Sequence, residues 1–373
     1  MVSGRRRRGC RMTAMTHHGA GLPGDLLVLL AEGVVSLHLQ SAARQFFLPY
    51  AGVVQIALDR IGFACLVQEC PPPGSVAELM TWCRDKVIGE WPISLADDLV
   101  PLEVRLIDQE MRVPTMTCVE LESYAASGGV RRLARQLFDE AVAGRSPQIV
   151  EACRDLLLGG VLVDQDSQWK MFREPRHAMA WKLVGGLYEA PPKSYVVDRS
   201  ILVCGSCGLL AVPMPNGTLW CEADGCPRTD EAVSYEASRV RVLSYPLRMG
   251  FSLAGRTELS VRSQLEEHGL AVEANPDRLG VFSVSGSGRP RTLRVHDRAE
   301  PVLHALEVAD ECRLLAGDEL IVMPRRAFNR RASYAAAFAA ALPPGARLPL
   351  VPDDLVIKAF DRRQGGDMRS FDA

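Results

Sequence analysis

The stretch CGSCG at residues 204–208, followed by CEADGC at residues 221–226, carries two pairs of cysteines on short turns. Paired thiolates at this spacing are typical of a tetrahedral zinc site. Glycines suit such turns because they allow the backbone conformations that bring amides close to the sulfurs. Four protein ligands would leave no position open for substrate, so the spacing predicts a structural zinc ribbon and not a hydrolytic centre. The predicted ligands are Cys204, Cys207, Cys221 and Cys226.

The composition is that of a globular protein without overall attraction to nucleic acid. Of the 373 residues, 47% are hydrophobic and 24% are charged, which is ordinary for globular proteins and allows two or three domains. The formal net charge is −2, so a nucleic-acid-binding surface would have to be a local patch.

Cysteine use and hydropathy predict a cytoplasmic, soluble protein. Eleven cysteines occur without a secretory signal, which favours a reducing compartment. The apolar stretch from Leu26 to Val35 is too short to cross a bilayer and contains Glu32, so no membrane association is expected. Residues 1–23, which include Arg5–Arg8, are predicted to be a disordered basic tail.

The first half of the chain predicts a mainly helical domain at residues 24–192. Helices are expected from Asp25 and after Pro49, and Ser75 with Glu78 forms a capping-box signature before a third. Two further helices at 130–143 and 147–158 are followed by the stretch VLVDQDSQWKMF, residues 161–172, which resembles a short hairpin. A winged-helix unit at 130–172 would explain this order, and a helical bundle with one hairpin is the favoured alternative. Another helix is expected from Pro175.

The second half predicts a zinc ribbon at residues 193–230, a linker at 231–249 and an α/β domain at 250–373. In the last domain Thr257 is expected to cap a helix, which is followed by the strands LAVEAN, LGVFSV and TLRVHD. A helix near 300–309, the strand ELIVMP, the helix RASYAAAFAAAL and a final strand DLVIKAF complete the order. Strands and helices in this order form a central sheet flanked by helices.

This order matches the core of PD-(D/E)xK restriction-type nucleases. Such sites hold a divalent cation on carboxylates from neighbouring elements, and the cation activates the attacking water. Asp277, in a turn before a strand, and Glu258, at a helix start, are the candidate catalytic ligands for Mg²⁺ or Mn²⁺. Each residue also has an ordinary structural interpretation, because Asp is common in turns and Glu is favoured in the first turn of a helix.

From about Leu26 onward the chain resembles the restriction-endonuclease-like proteins found beside pPIWI-RE genes in prokaryotic defence islands. The stretches that carry the resemblance are SVAELMTWCR, EWPI, PTMTCVELES, the CGSCG ribbon, RTELSVRSQLEEHGLAVEANPDRLGVF and ELIVMPRRAFNRRASYAAAF. The resemblance implies action with a PIWI-module protein and a DinG-type helicase against invading DNA.

One departure from that family bears on catalysis. The family's third core strand carries an acid–x–Lys pattern, whereas residues 293–297 read LRVHD. Arg294 stands where the second metal carboxylate is expected, and His296 stands where the lysine is expected. A guanidinium repels a divalent cation, so the sequence predicts a degenerate nuclease site. Asp297 would substitute only if the strand shifted by one residue, which would turn its side chain to the other face.

Arginines around the last strands predict contacts with nucleic-acid phosphates. A basic cluster interleaved with Phe328 and Tyr334 follows the ELIVMP strand, and such a mixture can hold phosphates and stack on bases. A solvated loop is the ordinary alternative. The candidate phosphate-binding residues are Arg289, Arg291, Arg294, Arg325, Arg326, Arg330 and Arg331.

The sequence therefore predicts an α+β multidomain protein that binds nucleic acid, DNA first and RNA second, or acts as a scaffold in a defence system. Three alternatives stay open. The first is an active Mg²⁺- or Mn²⁺-dependent DNA endonuclease. The second is a zinc-ribbon and winged-helix transcription regulator that presents Arg131, Arg132 and Arg135 to the major groove. The third is an interaction protein that does not touch nucleic acid.

Overall fold

A computed structural model describes most of the chain. The described residues are 25–42, 50–93, 99–125, 129–224, 226, 231–275, 278, 280–286, 290–312, 319–346 and 348–364. The predicted basic tail and two candidate site residues, Asp277 and Arg289, lie outside these ranges.

Helices dominate the first half of the chain, and strands are concentrated in the second. The helices are α1 Asp25–Ala42, α2 Gly52–Val67, α3 Val76–Asp85, α4 Met116–Glu122, α5 Gly129–Val142, α6 Pro147–Gly159, α7 Gln165–Phe172, α8 Pro175–Val184, α9 Tyr245–Leu247, α10 Leu253–Glu267, α11 Pro301–Cys312, α12 Arg325–Arg330, α13 Tyr334–Ala341 and α14 Val356–Gln364. The strands are β1 Leu162–Asp164, β2 Tyr188–Glu189, β3 Val196–Val197, β4 Ser200–Cys204, β5 Leu210–Pro213, β6 Leu219–Cys221, β7 Ala232–Glu236, β8 Val240–Leu243, β9 Ala271–Ala274, β10 Val281–Ser285, β11 Arg291–Val295, β12 Glu319–Met323 and β13 Leu350–Pro352.

The expected helices of the first half are present. The N-cap Ser75 accepts a hydrogen bond from the Glu78 amide at 3.2 Å, and the Glu78 carboxylate accepts one from the Gly74 amide at 2.6 Å. This reciprocal capping starts α3 where the sequence predicts a helix. The segment 101–125 contains α4, whose residues are all buried.

The hairpin expected at residues 161–172 is wrong. Only Leu162–Asp164 form a strand, and Asp164 then caps α7 by accepting a hydrogen bond from the Ser167 amide at 2.6 Å. The strand finds its partner far along the chain, because β1 and β2 both pair antiparallel with β8. Together with α5, α6 and α8, this three-stranded sheet surrounds a hydrophobic core of its own.

The linker expected at residues 231–249 is also wrong. In that segment β7 pairs antiparallel with β4 and so joins the ribbon's sheet, which also contains β3, β5 and β6. Strand β8 belongs to the other sheet, with β1 and β2. The alternation of apolar and polar residues in VRVL, with Val240 and Val242 buried and Arg241 exposed, is that of a strand. The other bounds of the predicted domains remain predictions.

The C-terminal domain is a five-stranded sheet between two layers of helices. The strand order is β13-β12-β11-β10-β9, with β9, β10 and β11 antiparallel and β11, β12 and β13 parallel. Alternate residues of β12 serve the two faces: Leu320 and Val322 pack with α10 and α14, whereas Ile321 and Met323 pack with α11 and α13. This period of two is what a sheet covered on both faces requires.

Two predictions in this domain need correction. Thr257 does not cap a helix, since α10 already begins at Leu253. The stretch DLVIKAF is not a strand, because the last strand ends at Pro352 and α14 follows. Val356 and Phe360 are four residues apart and both buried, which is the spacing of one helix face.

The ribbon and the first helices share one hydrophobic core. Ile201 and Leu210 of the ribbon belong to the same buried cluster as Leu30 of α1 and Leu121 of α4. The fold is therefore mixed α+β, with a helical first half that packs against a four-cysteine ribbon. None of the described helices is both long and apolar enough to cross a bilayer.

Candidate functional sites

The four cysteines predicted from the sequence come together as a candidate metal centre. One ligand atom from each of Cys204, Cys207, Cys221 and Cys226 lies within 4.8 Å of the others. Within the described ranges no other such group of three or more His, Cys, Asp or Glu residues is present. Hydrogen bonding from neighbouring cysteines, Cys207 first, lowers the pKa of the Cys204 thiol. The donor set fits a metal such as zinc, which prefers four thiolates at tetrahedral positions.

Two glycines shape the first cysteine turn. The Gly208 amide donates to the Cys204 carbonyl at 2.9 Å, and Gly208 has φ +80°, a conformation that favours glycine. At Gly205 a side chain is excluded, since a β-carbon there would lie 2.3 Å from the Glu231 carbonyl oxygen. The Leu209 amide donates to the Cys207 sulfur at 3.4 Å. The CGSCG stretch therefore folds as a tight turn that brings the sulfurs of Cys204 and Cys207 close together.

Contacts from three elements hold the cysteine turns. Arg256 of α10 donates to the Gly205 carbonyl at 2.6 Å, and Asp224 accepts from the Met116 amide of α4 at 2.7 Å. Burial alone disfavours the charged form of Arg326 in α12, but Asp297 and the nearby sulfurs raise its pKa above the ordinary value. A four-thiolate site with Zn²⁺ carries a net negative charge, so a nearby guanidinium stabilises it.

A second candidate site is a cavity of about 200 Å³ between the helical half and the C-terminal sheet. The predicted Glu258 and His296 both line the cavity. Its other charged lining residues are Arg131, Arg278, Arg298 and Glu307. Helices α5, α10 and α11 and the end of β11 thus meet at one place.

The Glu258 carboxylate is already engaged. It is buried and accepts a hydrogen bond from Arg154 of α6 at 2.7 Å. Burial raises the pKa of Glu258, although Arg154 acts in the opposite direction. Glu307 is held in the same way, by Arg131 at 3.1 Å and by Arg298 at 2.7 Å. Among the described lining residues, the two carboxylates are therefore both paired with guanidinium groups.

Arg294 lies inside the sheet and does not face the cavity. Its side chain is fully buried and forms an ion pair with Glu319 at 3.0 Å, on the face that packs against α11 and α13. The alternation along β11 explains the burial, because Leu293 and Val295 occupy the opposite face. We therefore remove Arg294 from the candidate phosphate-binding residues, since a buried, paired guanidinium cannot reach a phosphate.

His296 belongs to a chain of buried rings. A hydrogen bond of 2.9 Å joins its Nδ1 to Nε2 of His304, and the Tyr334 hydroxyl lies 3.2 Å from Nδ1 of His304. Burial lowers the pKa of His296 to about 3, so the ring is neutral near pH 7. His296 therefore adds no positive charge to the cavity, unlike the lysine that the restriction-nuclease pattern has at that position.

Most of the remaining predicted arginines make structural contacts. Arg326 is paired with Asp297, Arg325 with Asp354 at 2.8 Å, and Arg331 with Glu300 at 3.3 Å. Arg291 donates to the Phe360 carbonyl at 3.3 Å and packs over its ring. By contrast, Arg330 is exposed at the end of α12.

Sequence reasoning missed the partners of these charges. Arg154 and Glu319 neutralise Glu258 and Arg294, and each partner lies on a different element from the charge that it meets. Glu319, a charged residue directly before the apolar run of β12, was a signal that a buried partner was needed. Nothing in the α6 sequence marks Arg154 as a partner for α10.

Comparison with known proteins identifies one segment. Residues 26–163, which run from the second residue of α1 through α6 and most of β1, match the family model described as pPIWI_RE three-gene island domain Y. The match associates the chain with pPIWI-RE defence islands, and the predicted resemblance is confirmed to that extent. The ribbon and the C-terminal sheet lie beyond the matched residues. The chain matches no curated protein and no solved structure.

Proposed function

We propose, from the island association of residues 26–163, that this chain is a nucleic-acid-binding or scaffolding component of a prokaryotic anti-invader defence system. Its C-terminal domain is a restriction-nuclease-like fold with a degenerate active site. The four cysteines hold zinc as a structural ion. DNA is the expected nucleic acid, and a PIWI-module protein and a DinG-type helicase are the partners that the family resemblance implies.

The order of elements supports the nuclease-like fold. Helix α10 precedes the antiparallel strands β9, β10 and β11, and α11 then leads to β12, which lies parallel to β11. That is the helix, three-strand, helix and strand order of the PD-(D/E)xK core. The cavity lies at the end of β11, where α10 contributes Glu258.

The charge of the cavity supports degeneracy, and it is the observation that carries the proposal. Arg154 engages Glu258, and Arg131, Arg278 and Arg298 line the same cavity. Unit charges 4 Å apart interact by about 4 kcal/mol at an effective dielectric constant of about 20. Guanidinium groups this close would repel a divalent cation placed in the cavity. Phosphates would instead be bound on the outer surface, by Arg291, Arg325, Arg330 and Arg331.

Incubation with plasmid DNA in Mg²⁺ or Mn²⁺ tests this proposal. We expect a shift of the plasmid in a gel without cleavage, because the cavity does not hold the cation that activates water. The variant Asp277→Ala should behave as the wild type does. Cleavage that Asp277→Ala abolishes, and that the exposed control Asp59→Ala retains, would show an active endonuclease and contradict the degenerate site. If the protein shifted neither DNA nor RNA in the gel, the nucleic-acid-binding role would be contradicted.

A further inference from the structure

The elements around the ribbon follow the order of a winged-helix unit. Helix α6 is followed by β1, by α7 and α8, and then by β2 and β8, and the sheet order is β1-β8-β2. In winged-helix proteins the last two strands form the wing, and the second of the two preceding helices is the recognition helix. Here residues 190–239, which contain the zinc ribbon, connect β2 to β8. The ribbon therefore occupies the position of the wing.

Helices α7 and α8 are held as a unit on this core. The turn between them is Arg173 and Glu174, which is short enough for a helix-turn-helix. Ala180, Trp181 and Val184 of α8 are buried in the core with residues of α5, α6 and the three-stranded sheet. One face of α8 thus fixes its position, and the opposite face is available to a partner.

The outer surface of the two helices combines cations with aromatic rings. Residues 165–184 carry four basic and two acidic side chains. Lys170, Arg173 and Lys182 are exposed, and in the described part of the chain none of them forms an ion pair. Trp169 is 71% exposed and lies edge-on to Phe172, with 6.4 Å between the ring centroids. A protein partner alone would account for the rings, but the unpaired cations favour a polyanion.

We infer that α7 and α8 form the helix-turn-helix of a winged-helix unit, and that α8 docks in the major groove of duplex DNA. Lys182 on α8 and Arg173 in the turn contact phosphates on either side of the groove. This differs from the expected presentation of Arg131, Arg132 and Arg135 to the major groove, since α5 and α6 supply the supporting core. The assignment rests on the proposed nucleic-acid-binding role and names its surface.

The salt dependence of binding tests this surface. The affinity of the full chain for a short random-sequence DNA duplex is measured at several salt concentrations. In the variant Arg173→Gln/Lys182→Gln, the slope of log K against log salt should fall by about two, since each lost phosphate contact contributes ~0.9. The matched control Arg60→Gln/Arg112→Gln removes two exposed cations from α2 and from the segment before α4, and should keep the wild-type slope. All four side chains are exposed, so folding should not change.

Separate outcomes identify what has failed. Wild-type binding with an unchanged slope in Arg173→Gln/Lys182→Gln would overturn this surface and leave the proposed function intact. In that case Arg330→Gln, which removes an exposed cation of the C-terminal domain, should reduce the slope instead. Tighter binding of a single strand, lost in Trp169→Ala, would assign the rings to base stacking and overturn duplex docking. No binding of duplex or single strand would overturn both.

Discussion

At the scale of single residues, the pair Arg294 and Glu319 shows how the sheet accommodates a buried charge. The sequence places a guanidinium where a metal carboxylate is expected, and the structure buries that guanidinium against a carboxylate of the neighbouring strand. A buried ion pair contributes little net stability, yet removal of one partner leaves an uncompensated charge in the core. Arg294 is thus a structural residue at a position where the restriction-nuclease pattern has an acidic one.

Replacement of Arg294 should destabilise the protein strongly. We expect Arg294→Leu to lower the free energy of unfolding by about 3–5 kcal/mol, because Glu319 is left buried and unpaired. Arg294→Leu/Glu319→Leu should recover much of that loss. Denaturant unfolding measures both. The control Arg135→Leu breaks an exposed ion pair with Asp139 and should cost less than about 1 kcal/mol. An equal loss in the single and the double variant would contradict this account of the pair.

At the scale of elements, α4 joins the island-family segment to the C-terminal domain. Its Glu120 carboxylate accepts hydrogen bonds from the amides of Ala299 and Glu300, at 2.5 and 2.9 Å, just before α11. Thr117 donates to the Glu300 carboxylate at 2.7 Å. Helix α4 is short and buried throughout. A helix of this length is not stable by itself, so its contacts with distant segments stabilise it.

The buried Glu120 should make stability depend on pH. Burial raises its pKa to about 7, with Arg131 acting in the opposite direction. A carboxyl with a raised folded-state pKa stabilises the fold fully below its unfolded pKa, and this contribution is lost as the pH rises through about 7. The stability of wild type relative to Glu120→Gln should therefore fall by roughly 1–3 kcal/mol between pH 5 and pH 8, since one pKa unit corresponds to about 1.4 kcal/mol.

Thermal unfolding of the two proteins across that range measures the effect. The difference between them also removes the contribution of the buried histidines, His296 and His304, whose lowered pKa values cost stability below about pH 6.5. The glutamine still accepts one amide hydrogen bond, so a constant offset between the curves is expected. A difference that stays constant from pH 5 to pH 8 would contradict a raised pKa for Glu120.

At the scale of the whole molecule, we expect the candidate metal centre to stabilise the helical half as well as the ribbon. Ribbon residues such as Ile201 and Leu210 share a core with α1 and α4, so the helices lose packing partners if the ribbon unfolds. Structural zinc contributes on the order of 10 kcal/mol to the folding of small domains. The cysteine turns are also tied to α10 through Arg256 and to α4 through Asp224.

Loss of one cysteine should therefore lower the thermal stability of the helical half. We expect about one zinc ion per wild-type chain and close to none in Cys207→Ser. The helical circular dichroism signal of Cys207→Ser should melt roughly 10 °C or more below that of wild type. Cys70→Ser, a partly exposed cysteine outside the cluster, should keep the metal and the melting temperature. A Cys207→Ser protein that loses zinc but melts as the wild type does would contradict the shared core.

What the sequence by itself determined were the features set by short-range chemistry. The four-cysteine cluster, the Ser75 cap and the order of β9, β10 and β11 follow from local spacing, where turn geometry and alternation leave few choices. Only the tertiary structure decided that β1 and β7 pair with strands far along the chain and that Arg154 meets Glu258. These contacts join residues roughly thirty to a hundred positions apart. A local pattern records that a charge or strand edge needs a partner, and packing of the whole chain selects which residue provides it.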